Sequence, residues 1–277
     1  MKHESIDGLV MRATKTGEND AYLSILTKEK GRFGLLSKGA RSIKGEKLSI
    51  SQIFTYANFE YYTRGEVNIL KGGSVNKSFF GISGRYDGMT LGFYLCDLAC
   101  EVSDENVESG ELLRLLLNSL YALSEGLYDE ATIKAAFELR AMALSGYAPT
   151  LDACFACGEA AADELYFNVE GGALVCRDCL AKTRIVRPSD YDDVRVAQTL
   201  IPISKATLGA MRYCVEGPLS RIFAFHLEEP EDMASLCKIA ESYVLSHLER
   251  GFGTLEFYHA EQPSIEEFIK KGDAPTS

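Results

Sequence analysis

Apolar positions recur mostly at every second residue along the first eighty residues, and beyond Gly81 they recur at the three-and-four spacing of a helix face. The pattern therefore divides the chain into a strand-rich front and a helix-rich remainder. Strands are predicted at Gly8–Arg12, Ala21–Leu26, Arg32–Leu36, Ile53–Tyr62 and Val67–Leu70. Between them, Thr16-Gly-Glu-Asn-Asp20, Lys28-Glu-Lys-Gly31 and Arg64-Gly-Glu66 hold residues that reverse a chain. Five short strands are too few for a sandwich and suit a small closed barrel such as an OB-fold. The fourth strand carries Phe54, Tyr56, Phe59, Tyr61 and Tyr62, and the third carries Phe33; most of these rings are expected in the core. With a bulge in that strand, Phe54 and Tyr56 face one way and Phe59 and Tyr61 the other, so at most one set meets a ligand and no single ring is assigned to stacking.

The helical remainder has three strong stripes. Leu112, Leu115, Leu116, Leu120 and Leu123 form the first. Ile133, Ala136, Phe137, Ala141 and Leu144 form the second, with Asp129 as N-cap and Gly146 and Pro149 closing it. The third runs through Met233, Leu236, Cys237, Ala240, Tyr243, Val244 and His247, between Pro230 and Gly251. Weaker helical signals cover Met89–Val102, Ser189–Leu200 and Ser204–Val215.

Two Cys-x-x-Cys pairs, Cys154 with Cys157 and Cys176 with Cys179, interrupt these helices. Each pair turns two sulfurs toward one point, and two such turns close a tetrahedral four-thiolate site for one zinc ion with no open position, which points to a structural rather than a catalytic metal. A pair of disulfides, or four unrelated cysteines, are the competing arrangements. Gly158 suits the positive φ of a metal knuckle, while Leu165–Val169 and Ala173–Val175, joined by Glu170-Gly-Gly172, read as a hairpin returning the second pair to the first. Cys96, Cys100, Cys214 and Cys237 lie in apolar surroundings and read as buried thiols. The expected fold is α+β: an OB-fold barrel over residues 1–81, an all-α domain over 82–152 and 183–260, a zinc knuckle at 153–182 and a tail at 261–277.

Hydrophobic content of 46% and charged content of 25% are those of globular domains, and nothing approaches the length of a membrane span. Free thiols beside a thiolate site, with no apolar leader in the first residues, place the protein in the cytoplasm. The net charge of −11 conceals an asymmetry: residues 1–81 hold 13 basic against 8 acidic side chains, and the remainder 16 against 32. Lys28, Lys30, Arg32, Lys38, Arg41, Lys44 and Lys47 fall within twenty positions, several around the Gly-containing loop from Ser37 to Gly45. Such a cluster neutralises phosphates, and these seven are the candidate DNA contacts; a solvated, merely solubilising surface is the alternative. No phosphate-binding Gly-rich loop, nucleophile elbow or His-Glu-x-x-His motif is present, and the four histidines are scattered, so no enzymatic activity is expected.

Gly8-Leu-Val-Met-Arg12, Lys38-Gly-Ala-Arg41, and Phe137-Glu-Leu-Arg140 running through Gly146-Tyr147-Ala-Pro149 into Cys154-Phe-Ala-Cys157-Gly158 together give the chain a pattern that resembles the RecO family of recombination mediators. The resemblance spans nearly the whole chain. It implies an OB-fold, a helical domain and a zinc knuckle. It also implies binding of single- and double-stranded DNA, annealing of complementary strands, and loading of a recombinase, with RecR, onto DNA coated by single-strand-binding protein, which would associate the protein with the nucleoid. The four cysteines match as zinc ligands, and Lys38 and Arg41 match the basic barrel segment. The family also holds the acidic, apolar tail of single-strand-binding protein on the helical domain, where Lys134, Phe137, Arg140 and Leu144 are candidate contacts; a structural salt bridge is the other role open to Lys134 or Arg140. The runner-up function is a zinc-containing protein–protein adaptor without direct DNA binding.

Overall fold

The computed structural model describes residues 3–42, 47–79, 81–82, 86–160, 162–185 and 199–261. The front half is a closed barrel of β1 (His3–Lys15), β2 (Ala21–Thr27), β3 (Gly31–Ser37), β4 (Thr55–Arg64) and β5 (Val67–Ser78), in the order β1-β2-β3-β5-β4. β1 serves two neighbours. Its first half pairs with β4 from His3 opposite Tyr62 to Leu9 opposite Tyr56, its second half pairs with β2, and an irregularity between Val10 and Arg12 bends it around the barrel. β3 and β5 run parallel and meet at one register position, Leu36 opposite Ile69.

Alternation fills the interior as the pattern predicts. Leu23 and Ile25 of β2, Phe33 and Leu35 of β3, and Ala57, Phe59 and Tyr61 of β4 share one buried cluster with Ile6, Val10 and Leu70. β4 itself alternates without a break, burying Thr55, Ala57, Phe59 and Tyr61. The bulge expected in β4 is therefore absent, since plain alternation already sends residues 54 and 56 one way and 59 and 61 the other; the register slips of this pair lie in β5. Phe54 precedes β4 at φ +64, a region bulky residues seldom enter. Its backbone N–H donates to the Val10 carbonyl at 3.1 Å and its carbonyl accepts from Phe79 at 3.0 Å, which holds it there.

By packing, the described chain forms two compact units. The first contains the barrel together with α1 (Tyr86–Val102) and α7 (Gly253–Glu261), which the pattern assigns to the helical part. The physical reasons are specific contacts: the Phe54 ring lies 5.0 Å from Phe93, Arg12 reaches Asp97 at 2.6 Å, Thr254 donates to the other oxygen of Asp97 at 2.9 Å, and Tyr94 meets Phe252 edge-on at 5.6 Å. α2 (Gly110–Glu125) contributes residues to both units.

The second unit is built on α3 (Glu130–Leu144), whose Asp129 cap accepts from the Thr132 N–H at 2.8 Å. Residues 132–142 are all buried, so α3 is a central helix rather than a surface helix with one apolar stripe. α5 (Lys205–Glu216) and α6 (Pro230–His247) pack on it. A four-stranded sheet of β6 (Thr150–Cys154), β7 (Leu165–Asn168), β8 (Ala173–Cys176) and β9 (Leu200–Ile203), in the order β6-β8-β7-β9, lies beside these helices, and α4 (Arg177–Ile185) follows β8. The expected β7–β8 hairpin is present. β6 and β9 extend it, and Phe167 of β7 packs edge-on against Tyr243 of α6 at 5.7 Å. Of the helix expected over Ser189–Leu200, residues up to 198 lie outside the described residues, and Leu200 begins β9.

Candidate metal centre and nucleic-acid interface

The four cysteines come from two adjoining stretches of backbone: Cys154 ends β6 and Cys157 lies in the turn after it, while Cys176 ends β8 and Cys179 sits in the first turn of α4. Parallel pairing of β6 with β8 sets Cys154 opposite Leu174. The turn closes through the Gly158 N–H on the Cys154 carbonyl at 2.8 Å, with Gly158 at φ +75 as a knuckle requires. The Phe155 N–H donates to the Leu174 carbonyl at 2.8 Å, fastening one turn to the other strand.

The outcome is a group of four sulfurs within 4.8 Å of one another, in which Cys157 and Cys176 stand 3.8 Å apart. A tetrahedron with metal–sulfur bonds of about 2.3 Å has edges of about 3.8 Å, so the group is sized for one ion. All eight cysteines are free thiols. Electrostatics inside the group favour a cation. Burial works against ionisation of Cys154, but backbone N–H groups of Cys176, Cys157 and Ala156 outweigh it and draw its pKa down to about 6. Hydrogen bonding to Cys157 and Cys176 then holds the Cys179 thiol up at about 12. Crowded thiols cannot all ionise together, and a dication resolves that conflict. The residues therefore fit a metal ion.

The six described candidate DNA contacts do not form one patch. Lys28 and Lys30 occupy the β2–β3 turn, whereas Lys38 and Arg41 follow the far end of β3, a strand length of about 20 Å away. The second group is pinned where the Gly39 N–H donates to Asp20 at 2.9 Å and the Arg41 N–H donates to the Asn19 carbonyl at 3.1 Å. Lys28, Lys38 and Arg41 are exposed. Lys30 donates to the Tyr61 hydroxyl at 2.9 Å and lies 3.7 Å from Glu4, and this pairing, led by the Tyr61 hydrogen bond, raises its pKa. Arg32 donates to the Cys100 carbonyl at 3.0 Å, and Lys47 to the Leu70 carbonyl at 2.8 Å. Lys44 lies outside the described residues. Lys15, which the linear cluster omits, is exposed and pairs across the ladder with Ala21, beside the Lys38–Arg41 end. Its signal was the strand pairing rather than its spacing.

The four candidate tail contacts sit differently from the expectation. Lys134 and Phe137 are buried; Lys134 lies between Glu138 at 2.8 Å and Glu241 at 2.7 Å. Desolvation lowers its pKa, yet the two carboxylates outweigh that and leave it raised. Arg140, also buried, donates through Nε to the Cys214 carbonyl at 2.6 Å and through a terminal nitrogen to the Gly217 carbonyl. Lys134 thus forms the internal salt bridge left open for it, Arg140 is tied to backbone carbonyls, and Leu144 is the half-buried member of the four. His247 packs against the Tyr243 ring at 4.0 Å, as its place on the helix stripe predicts.

These features define a class of protein: an OB-like barrel with charged ends, joined to a helical unit that carries a four-thiol group fit for a metal ion. Residues 1–79 match the family described as Recombination protein O N terminal, and residues 84–256 match Recombination protein O C terminal. The chain belongs to the RecO family of DNA repair proteins. It is 28% identical to the DNA repair protein RecO of Acetivibrio thermocellus over 257 residues, covering 93% of this chain and 96% of that one. It is 27% identical to RecO of Alkaliphilus metalliredigens over 251 residues, covering 90% and 96%, and 29% identical to RecO of Dehalococcoides mccartyi over 216 residues, covering 78% and 79%. No helix among the described residues is long and apolar enough to cross a membrane.

Proposed function

We propose that this protein is a recombination mediator that binds single- and double-stranded DNA through its barrel, anneals complementary strands and, with RecR, helps load a recombinase onto DNA coated by single-strand-binding protein. Membership of a DNA repair family along both halves of the chain carries this reading. The exposed Lys28, Lys38 and Arg41 at the two ends of the β2–β3 hairpin support it. Annealing needs no bond chemistry: cations that neutralise phosphates lower the repulsion between two strands, and a protein holding both raises their local concentration. The protein is accordingly read as a non-enzymatic, cytoplasmic factor that joins the nucleoid when on DNA.

The metal is proposed to be one zinc ion held by Cys154, Cys157, Cys176 and Cys179. Four thiolates leave no position for water, so the ion supplies folding free energy to the β6–β8 turns rather than a reaction. The tail of single-strand-binding protein is assigned to the helical unit, where Leu144 rather than buried Lys134 or Phe137 offers a contact. The test is anisotropy of a labelled single strand titrated at several salt concentrations. The reading requires a log–log slope of several times about −0.7, the contribution of each neutralised phosphate on single strands. No binding at low salt would instead favour a zinc-containing adaptor.

A further inference from the structure

β2 presents one large ring to solvent. Tyr22 is 42% exposed, while its neighbours Ala21 and Leu23 point into the barrel. The ring has a specific resting place. A Cβ added to Gly34 of β3 would lie 1.9 Å from the Tyr22 hydroxyl oxygen and 2.7 Å from Cζ. Gly34 thus leaves open the space in which the phenol end of Tyr22 lies across the outer surface of the next strand. Beside this ring the barrel wall opens. β3 and β5 share one ladder position at Leu36 and Ile69, and toward the other end of the pair the Asn68 side chain, instead of a backbone group, donates to the Gly34 carbonyl at 3.2 Å. The gap is a cavity of about 260 Å³ lined by Tyr22, Arg32, Gly34, Glu66, Asn68 and Glu105, among others.

The charge balance of this cavity selects what enters. Arg32 is held by the Cys100 carbonyl and stands 4.0 Å from Glu105, and Glu66 adds a second carboxylate. Two carboxylates against one guanidinium repel a phosphate, whereas they accept from the exocyclic amino group of a base. Phosphates are served elsewhere, by exposed Lys38 and Arg41 beyond one end of β3 and by Lys28 beyond the other. A single strand crossing the β2–β3 face thus meets cations at both ends and an aromatic face between them, on the strands that OB-folds commonly use for oligonucleotides.

We infer that Tyr22 is a stacking platform for one base of a bound single strand, and that the adjoining cavity receives the edge of an amino-bearing base while the phosphates remain outside. This rests on the proposal that the barrel binds DNA, and deepens it to a named subsite.

Fluorescence titration of the full chain with single strands of equal length tests it. Tyr22→Ala is expected to weaken binding about 5- to 150-fold, the range found when a stacking aromatic is removed, and Tyr22→Phe to stay within about 2-fold. The salt slope should be the same for both variants and the parent, because no phosphate contact is lost. A run of dC should bind more tightly than a run of dT, and a strand of abasic residues should gain nothing from Tyr22. Tyr22 lies outside the barrel core, so the variants should remain folded at the assay temperature, with melting shifted only by the lost cover over Gly34. Parent-like affinity in Tyr22→Ala, or equal binding of abasic and base-bearing strands, overturns the subsite. The double variant Lys38→Glu/Arg41→Glu, in the same assay, reports the phosphate contacts separately. A reduced slope there with neutral Tyr22 leaves barrel DNA binding standing without the stack, whereas no binding by the parent overturns both.

Discussion

Cys154 shows how a single residue type can be read from spacing yet act through its surroundings. The spacing of the two pairs names four candidate ligands; the structure adds the N–H of Cys176, 3.3 Å from the Cys154 sulfur, as one of the donors that favour the thiolate. Cys154→Ser removes the sulfur with the strongest tendency to ionise. Elemental analysis of the purified parent is expected to give one zinc per chain and the variant well below that, with the hairpin more open to proteolysis and barrel binding to DNA within about 2-fold of the parent, since the metal holds a separate set of turns. Full metal content in the variant would sink the four-thiolate assignment. Lys134 is the opposite case: its burial was invisible in the pattern, because a lysine on an apolar helix normally marks the wet face. Lys134→Ala is expected to destabilise the protein by about 3–5 kcal/mol in urea unfolding, because fully buried Glu138 loses the cation beside it. The pH dependence has a definite sign. The folded pKa of Lys134 is raised above the ordinary 10.5, so its contribution is complete below 10.5 and is lost as pH rises through the higher folded value. The parent should therefore lose more stability at strongly alkaline pH than a Lys134→Met variant.

At the scale of elements, the turns test how local conformation and packing combine. Gly31 opens β3 and Gly39 lies in the turn after it, both with positive φ, at +56 and +73. A side chain at Gly39 would meet open space, but a Cβ at Gly31 would lie 2.2 Å from the Asp104 carbonyl and 2.6 Å from that of Val107. Gly39→Ala should cost about 1–2 kcal/mol, the left-handed penalty alone. Gly31→Ala should cost clearly more, because the segment after α1 must also move; equal melting temperatures for the two variants would refute this. The contrast also explains what was legible. The five barrel strands, the α3 cap at Asp129 and the β7–β8 hairpin follow from period, cap chemistry and turn residues, all local signals. The attachment of α1 to the barrel was not legible. It depends on Phe54 meeting Phe93 and on Asp97 joining Arg12 to Thr254, contacts between residues far apart in sequence that no period encodes. β6 escaped for a related reason: its partner β8 runs parallel to it, and a parallel edge has no turn residue to announce it.

Across the whole molecule, the division of charge makes the strongest demand. The front 81 residues carry an excess of five positive charges, and the remainder an excess of sixteen negative ones, so binding to a polyanion must be local. The seven cations cluster in the linear sequence, and the structure separates the six it describes into cations in water and cations bound to the protein itself. That separation predicts two kinds of variant. Replacing exposed Lys38 and Arg41 by Glu should reduce the magnitude of the single-strand salt slope by at least about 1.4, two phosphates at about 0.7 each, without changing thermal stability. Lys30→Met should do the reverse: it removes the hydrogen bond to Tyr61 and the charge beside Glu4, lowering stability while leaving the slope unchanged. If Lys30→Met reduced the slope as much as the exposed pair does, Lys30 would be gripping phosphate alongside Lys28 despite its internal partners, and the division between cations in water and cations bound to the protein would fail at that turn.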